Sequence, residues 1–578
     1  MRIERLFRFP VKGLPAEELS SATASVADGL RGDRAVALGN GSVQVEDGVW
    51  QSCGTFTALK NDVSLQKWQV SSAPPFITVT APAGSGAEPL TFNSADPEDR
   101  RLAAEYLSGH IPAQGGYQRT LVAASQGMFD SRLAGISLIN PRTVEVLSRA
   151  AGVELDPLRY RGNILLEGVP AFGEFDLIGK VVRVGTARIA ITKSIERCPA
   201  TSVNPSTTQV DVNGPRLLAS HFGHLHCGIY GTVLEAGAFQ AGDEIHVDPE
   251  DSRALGLVGS KRTPRFLEVV ERRALDSDAV QLSLRDPHGW IQDNDEPGTH
   301  LRVHLPDPLW RNYTITSVHQ DIITIAVHTA GTVSQRMAQL QPGDKLLVSG
   351  PHGTMTASRV LTGRTALLTA GIGITPTLAL LRGADQAPEL RELHLFHTER
   401  SPGGELFTQA SALARETLAD ARITHVNTRE RRPTLTELAE AVATCDSVMI
   451  CGPAGFTDLA LAACQQAGIA PENIHRETFV SPTADLTELL EQYTPAQISF
   501  SSGAAEFTWR PQEGTLLESL ESHGLKPKNS CRAGACGECA LTVRRGSVSY
   551  LLDPSARVQG NQILACVAAP TEDLELQL

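Results

Sequence analysis

Four of the ten cysteines fall in the last fifty residues, and their spacing fixes what that end of the chain must fold around. Four residues separate Cys531 from Cys536, two separate Cys536 from Cys539, and 26 separate Cys539 from Cys566. Two ferric ions bridged by sulfide need four thiolates, three of them from one loop wrapped round the metal, and this spacing supplies them. The loop RAGACGECA (532–540) is built mostly of small residues, which lets backbone N–H groups approach the sulfurs and tune the potential. A structural zinc site is the competing reading, but zinc knuckles favour paired C-x2-C units and lack such a glycine-rich wrap.

The other end of the chain needs a different explanation. At 578 residues the protein exceeds what one hydrophobic core supports, since cores rarely grow beyond ~300 residues. With 41% hydrophobic and 20% charged residues it is an ordinary folding composition rather than a disordered one. The net charge of −14 argues against a general nucleic-acid binder. The longest uncharged apolar stretch, Thr365 to Leu381, is interrupted by Gly371, Gly373 and Pro376, so no membrane helix is predicted there. The opening MRIERLFRFPVKG places charges where a signal peptide needs an apolar run, and the cysteines read as thiols or metal ligands. A cytoplasmic location is expected.

Texture divides the sequence. The first 250 residues carry short period-two runs such as VVRVGTARIAIT (181–192), typical of strands. Residues 266–355 read as many short strands with turn signals, hence a small β-barrel. From Thr365, apolar strands (TALLTA, LHLFHT, SVMICG) alternate with helical segments (PTLALLRG, LTELAEAVAT, FTDLALAACQQAG), which predicts a parallel α/β sheet. SPTADLTELLEQYTP (481–495) links this unit to the cysteine-rich end.

Arg311-Asn312-Tyr313-Thr314 puts a cation, a flat aromatic and a hydroxyl on one strand of the expected barrel. It resembles the R-x-Y-[ST] signature of the ferredoxin-reductase superfamily, and the later Gly331-Thr332-Val333-Ser334 resembles that family's G-x-x-S phosphate turn. Thr369-Ala370-Gly371-Ile372-Gly373-Ile374-Thr375-Pro376, between a strand and a helix, lets backbone approach a dinucleotide pyrophosphate at a helix N-terminus. Cys451-Gly452-Pro453 supplies the second half. The superfamily resemblance puts that turn beside the nicotinamide and makes Cys451 a site thiol; otherwise it is a core cysteine, as Cys445 and Cys464 are taken to be. The terminal region resembles plant-type ferredoxins. The order of the three modules, over about 266–578, resembles phthalate-dioxygenase-type reductases. The resemblance implies a 2Fe–2S cluster, FAD or FMN, and NADH or NADPH. After LHLFHT, Glu399 disfavours a ribose phosphate while Arg400 favours one, and the balance leans to NADH.

The first half resembles the MOSC family, named for the C-terminal domain of molybdenum-cofactor sulfurase. The matches, in order, are Phe9-Pro10-Val11-Lys12-Gly13, then Gly29-Leu30 with Asp33-Arg34, then Arg159-Tyr160-Arg161-Gly162-Asn163-Ile164, and finally Arg197-Cys198-Pro199-Ala200-Thr201-Ser202-Val203-Asn204-Pro205. The resemblance implies a molybdenum cofactor (molybdopterin) with Cys198 as protein ligand to the metal. Lys12, Arg34, Arg159 and Arg161 would meet its phosphate and pterin oxygens, with Asn163 at the pterin edge and Thr201 in the loop. A family-level association with pyridoxal phosphate comes with it. His221, His224, His226 and Cys227 form a competing metal motif, but on a strand alternation would put Cys227 opposite His224 and His226.

The fold class expected is therefore multidomain α/β and β. An N-terminal MOSC β-barrel domain (1–120) and a MOSC domain (121–250) precede a flavin barrel (263–358), a nucleotide-binding domain (362–480) and a β-grasp ferredoxin domain (494–578). The function expected is NADH-driven reduction of a small N-oxygenated substrate at Cys198-bound molybdenum, with catalytic roles for Cys198, Thr314 and Cys451. No membrane and no obligatory electron-transfer partner enters this reading. The alternative is a reductase serving a separate oxygenase, its MOSC half a cofactor-binding or sulfur-carrying module.

Overall fold

The structure is a computed structural model, which describes the chain apart from residues 125–126, 133–134, 249–262, 277, 306–307, 354, 402, 478–488, 504–505, 526, 530–531, 533, 535–536, 552–553, 555, 557 and 578. It separates into two compact units, one of Met1–Gly259, Pro306–Pro308 and Thr483–Leu578, the other of Ser260–Leu305 and Leu309–Pro482.

The first unit is built on an eight-stranded sheet. Its order is Ile245–Asp248, Val181–Val184, Ala187–Glu196, His226–Glu235, Ile136–Ile139, Ile164–Glu167, Arg2–Arg8 and Glu17–Leu19. The period-two run at 181–192 folds as a hairpin through a two-residue turn at Gly185, whose φ of 53° suits the right-handed twist of the flanking strands. Because Arg2–Arg8 pairs antiparallel with Ile164–Glu167, the boundary expected near residue 120 does not separate two sheets. Nor do the described residues of 1–120 close a barrel. A three-stranded sheet (Gln69–Ala73, Phe76–Thr80, Leu90–Asn93) instead packs Ile77, Val79 and Phe92 on Ala103 and Leu107 of the Pro97–His110 helix.

This half also holds helices that period-two runs do not announce. Pro97–His110, Pro141–Ala151 and Gly214–Phe222 each begin behind an Asp or Asn whose side chain accepts from the first-turn N–H groups, and each has proline in its first turn. The same unit ends in a five-stranded sheet, ordered Glu506–Trp509, Ala496–Phe500, Leu574–Gln577, Ala540–Arg545 and Gln562–Leu564. The Leu516–Ser522 helix lies over it, burying Leu516, Leu517 and Leu520 with Trp509.

In the second unit six strands between Arg265 and His352 close a barrel. A parallel sheet follows, ordered Arg422–Asn427, Leu390–Glu399, Gly363–Ala370, Ser447–Cys451 and Ile474–Glu477, with helices in the crossovers. Helices on its faces explain why these strands read as unbroken apolar runs, and ligands meet such sheets at the carboxyl ends of the strands. The linker expected over 481–495 lies largely outside the described residues. Among the described residues no helix is long and apolar enough to cross a membrane.

Candidate functional site

The flavin signature lies on the Trp310–His319 strand of the barrel. Tyr313 is nearly buried and its hydroxyl lies 3.1 Å from Ser334 Oγ, so the two signature turns meet. Thr314 is buried, with Thr375 Oγ1 3.4 Å from its own hydroxyl. Arg311 spends one N–H on the Trp310 carbonyl at 2.6 Å, and burial pulls its pKa down. It forms no salt bridge among the described residues, so its charge is available to a phosphate. Gly331 caps the Thr332–Ala338 helix, and a Cβ there would meet nothing within 4 Å. A cation with no salt bridge among the described residues, together with an open glycine turn, suits a flavin phosphate.

At the carboxyl edge of the parallel sheet, Gly371 holds a φ of 54° with open space beside it, so this turn leaves room for a pyrophosphate. Thr375 and Pro376 open the Thr375–Arg382 helix, and Pro453 caps the Ala454–Gln466 helix. A Cβ on Gly452 would sit 2.9 Å from Ala370 Cβ and Phe456 Cδ1, so glycine is what lets these two turns touch. The sequence leaves Cys451 as either a site thiol or a core cysteine. It is fully buried in the apolar cluster with Leu367 and Met449, and burial followed by nearby Glu477 raises its thiol well above the usual range. That burial fits the core-cysteine reading of the two. Glu477, its register partner on the Ile474–Glu477 strand, is the ionisable side chain this edge adds, 3.7 Å from His300 Nδ1.

Of the four clustered cysteines, Cys531 and Cys536 lie outside the described residues. Cys539 and Cys566 are buried in one core, and the Gly534 N–H donates to Cys566 Sγ at 3.2 Å. Backbone donors aimed at sulfur are what an iron–sulfur thiolate requires. Gly534 (φ 68°) and Gly537 (φ 80°) carry the loop through left-handed turns.

Cys198 opens the Pro199–Ser202 turn. Its thiol reaches solvent, yet protein crowds it closely enough that burial, then Asp130, raises its pKa. A solvent-reached group with so much protein round it sits in a concave part of the surface. Lys12 Nζ donates to the Met128 carbonyl at 2.8 Å and pairs with Asp130. Burial pushes the Asp130 carboxyl up, but Lys12, Arg34 and Arg161 outweigh it and hold the group at about 2. Arg34 pairs with Asp33 and donates to the Arg161 carbonyl at 3.0 Å. Arg161 donates to the Leu14 carbonyl at 2.7 Å and lies 4.3 Å over the Phe9 ring. Burial and the neighbouring Arg34 pull its pKa down to about 10, and it forms no salt bridge among the described residues. Both arginines hold left-handed backbone, φ 48° and 50°, a cost of about 1–3 kcal/mol each that persists where surroundings over-determine it, as at functional sites.

Three residues expected at the molybdenum cofactor make hydrogen bonds within the protein. Arg159 donates to Asp211 at 2.6 Å and to the Ser202 carbonyl, so it ties down the Cys198 loop instead of facing the cleft. Asn163 is fully buried, its amide accepting from Ser137 N and Oγ and donating to the Phe7 carbonyl. Thr201 donates to the Cys198 carbonyl at 3.0 Å. Asp130 carried no sequence signal, since Lys12 is 118 residues away. The histidine motif splits, His221 ending a helix and His226 starting a strand, where burial pulls its pKa to about 3. Among the described residues no three His, Cys, Asp or Glu side chains are grouped to hold a metal.

Three families match: the MOSC domain over residues 131–246, the oxidoreductase FAD-binding domain over 267–356, and the 2Fe-2S iron-sulfur cluster binding domain over 501–571. The chain is 28% identical over 280 residues to the NADH oxidoreductase HCR of Escherichia coli, which spans 46% of this chain and 83% of the relative. It is 25% identical over 320 residues to the phthalate 4,5-dioxygenase oxygenase reductase subunit of Pseudomonas putida, 53% of this chain and 94% of that one. The 3-ketosteroid-9-alpha-monooxygenase ferredoxin reductase component of Mycolicibacterium smegmatis is 30% identical over 338 residues, covering 53% and 94% respectively. These relatives account for about half of the chain, and the MOSC match falls in the remainder. The chain belongs to the dioxygenase-reductase type of NAD(P)H-dependent flavin and iron–sulfur oxidoreductases, joined in one polypeptide to a MOSC domain.

Proposed function

We propose that the electrons this reductase draws from NADH end at a molybdenum cofactor held by the MOSC half, where a small N-oxygenated compound such as a hydroxylamine or amidoxime is reduced. The balance is R–NH–OH + NADH + H⁺ → R–NH₂ + NAD⁺ + H₂O. The observation that carries this is Arg161, a half-buried guanidinium without a salt bridge among the described residues, whose charge interacts with the Cys198 thiol. A half-buried cation with no salt bridge of its own has charge to offer an anion, and a soft thiol with Lys12, Arg34 and Arg161 near it suits a phosphate-bearing metal cofactor. When bound, flavin would turn a two-electron hydride into single electrons, the cluster would relay them and molybdenum would accept the oxygen. The chain's own part is narrower. Arg311 and the Gly331 turn hold the flavin phosphate, Gly371 and Gly373 admit the dinucleotide, Cys539 and Cys566 hold iron with Cys531 and Cys536, and Arg159 fixes the loop that presents Cys198. The thiols are reduced in this reading, as in the cytoplasm.

The relatives' names favour a second reading, in which this half serves a separate oxygenase and the MOSC half only binds cofactor or carries sulfur. One assay separates the two. Purified protein, with no partner added, should oxidise NADH when offered a hydroxylamine or amidoxime. Cys198→Ser should abolish that turnover and leave NADH-dependent dye reduction intact. Loss of both together, or no turnover in metal-loaded wild type, sinks the first reading.

A further inference from the structure

Within the first unit, two helices that stand on different redox centres meet through one ion pair, Arg216 Nη1 donating to Glu518 Oε1. We infer that this pair is the docking contact through which the ferredoxin module delivers electrons to the MOSC module, an inference that rests on the proposed function.

Each side of the pair is rigidly tied to a thiol. Arg216 lies in the first turn of the Gly214–Phe222 helix, its N–H held by Asn213 Oδ1 at 3.0 Å. That helix sits directly on the Cys198 loop. The Gly214 N–H donates to Ser202 Oγ at 3.1 Å, and a Cβ on Gly214 would fall 2.4 Å from Thr201 Oγ1, which in turn donates to the Cys198 carbonyl.

Glu518 is in the first turn of the Leu516–Ser522 helix. Its other oxygen accepts from Thr515 N at 2.9 Å and Thr515 Oγ1 at 3.1 Å, a capping box that fixes where the carboxylate points. This helix packs on the Ala565–Val567 turn that carries Cys566. At its other end Glu521 pairs with Arg532, the residue after Cys531, and accepts from Asn529 Nδ2 at 3.1 Å. The helix that reaches Arg216 thus touches both the turn that carries Cys566 and Arg532, the neighbour of Cys531 in sequence.

Both side chains are partly exposed, 37% and 26%, so the pair is screened by salt and is a poor lock. That suits an electron-transfer contact, where charge complementarity fixes register and speeds encounter more than it adds affinity.

The test is charge reversal and exchange in the full, cofactor-loaded chain, using Arg216→Glu, Glu518→Arg and the two combined. Small-angle scattering should show each single reversal enlarging the radius of gyration and the exchanged pair restoring it. NADH-driven hydroxylamine reduction should fall about fivefold in each single variant and recover in the exchange. Dye reduction should stay constant throughout. Single reversals that change neither dimension nor turnover, or an exchange that rescues neither, would overturn the inference. A wild type without hydroxylamine turnover, but with scattering that expands and recovers as described, refutes the proposed function and leaves the docking contact standing.

Discussion

A Cβ placed on Gly373 would lie 2.4 Å from the carbonyl oxygen of Cys451, so the turn after one parallel strand rests on the backbone of the next without a side chain between. Backbone cannot step aside as a flexible side chain can. Gly373→Ala should cost about 1–3 kcal/mol, the range for overpacking a tight contact, and raise the KM for NADH without lowering flavin content. Gly371 supplies the contrast. Its φ of 54° penalises a side chain but the space beside it is open, so Gly371→Ala should cost about 1–2 kcal/mol and Gly371→Asn less. Thermal unfolding of the three variants ranks them, and equal costs for Gly373→Ala and Gly371→Asn would discount the close approach.

The Lys12–Asp130 pair predicts a pH dependence. The Asp130 carboxyl is held at about 2 in the folded chain against an ordinary 3.8, through Lys12, Arg34 and Arg161 working against burial. A carboxyl depressed by folding stabilises above its unfolded pKa, and that contribution is lost as pH falls from about 4 to about 2. Asp130→Asn should therefore unfold at lower temperature than wild type at pH 6, with the gap closing by about pH 2. A gap that persists unchanged at pH 2 would show that the carboxylate is not what matters.

Arg311 is expected to act on flavin retention more than on folding, since among the described residues its side chain donates to the adjacent Trp310 carbonyl and forms no salt bridge. A charge-assisted contact to phosphate is worth about 1.5–3 kcal/mol, so Arg311→Ala should weaken flavin binding roughly tenfold or more while the melting of the flavin-free barrel stays put. Arg311→Lys keeps charge but loses the planar fork and should fall between. Flavin absorbance per protein after gel filtration measures this. Full occupancy in Arg311→Ala would remove the residue from the site.

How legible all this was in the sequence depended on the range of the interaction. The strand–helix alternation after Thr365 and the period-two run at 181–192 are local patterns, and each is present in the fold, the second as a hairpin. The Pro97–His110, Pro141–Ala151 and Gly214–Phe222 helices were equally local, announced by Asp-Pro, Asn-Pro and Asn-Gly-Pro, but the strand-rich texture around them masked those signals. The pairing of Arg2–Arg8 with Ile164–Glu167 is a contact across more than 150 residues, and no local pattern specifies it. The same holds inside the MOSC cleft. Lys12, Arg34 and Arg161 act on one carboxylate, Asp130, which also acts on the Cys198 thiol, yet Arg159 is two residues from Arg161 and faces Asp211 instead. A motif names residue types at a site; backbone direction decides which of them reach it.

Glu399 bears on nucleotide choice. It ends the Leu390–Glu399 strand, where its carboxylate accepts from the Gly404 N–H at 2.6 Å and lies 3.2 Å from His425 Nε2. Burial works against its charge, but His397 and the Gly404 N–H outweigh it and hold the group at about 2, so it is an anion throughout the physiological range. The Phe407 ring, stacked on His397 at 5.4 Å and 4.6 Å from the His425 ring, forms an apolar wall nearby. An anion at the end of the strand after the glycine turn accepts from ribose hydroxyls and repels a ribose phosphate, which favours NADH; Arg400, exposed beside it, pulls the other way. Glu399→Gln keeps the shape and the acceptor for Gly404 while removing the charge. The ratio of kcat/KM for NADH over NADPH should then fall about tenfold, corresponding to ~1.4 kcal/mol of lost discrimination, mostly through a lower KM for NADPH. Arg400→Ala should move the ratio in the opposite direction. An unchanged ratio in Glu399→Gln would mean that the ribose is read elsewhere on the strand edge.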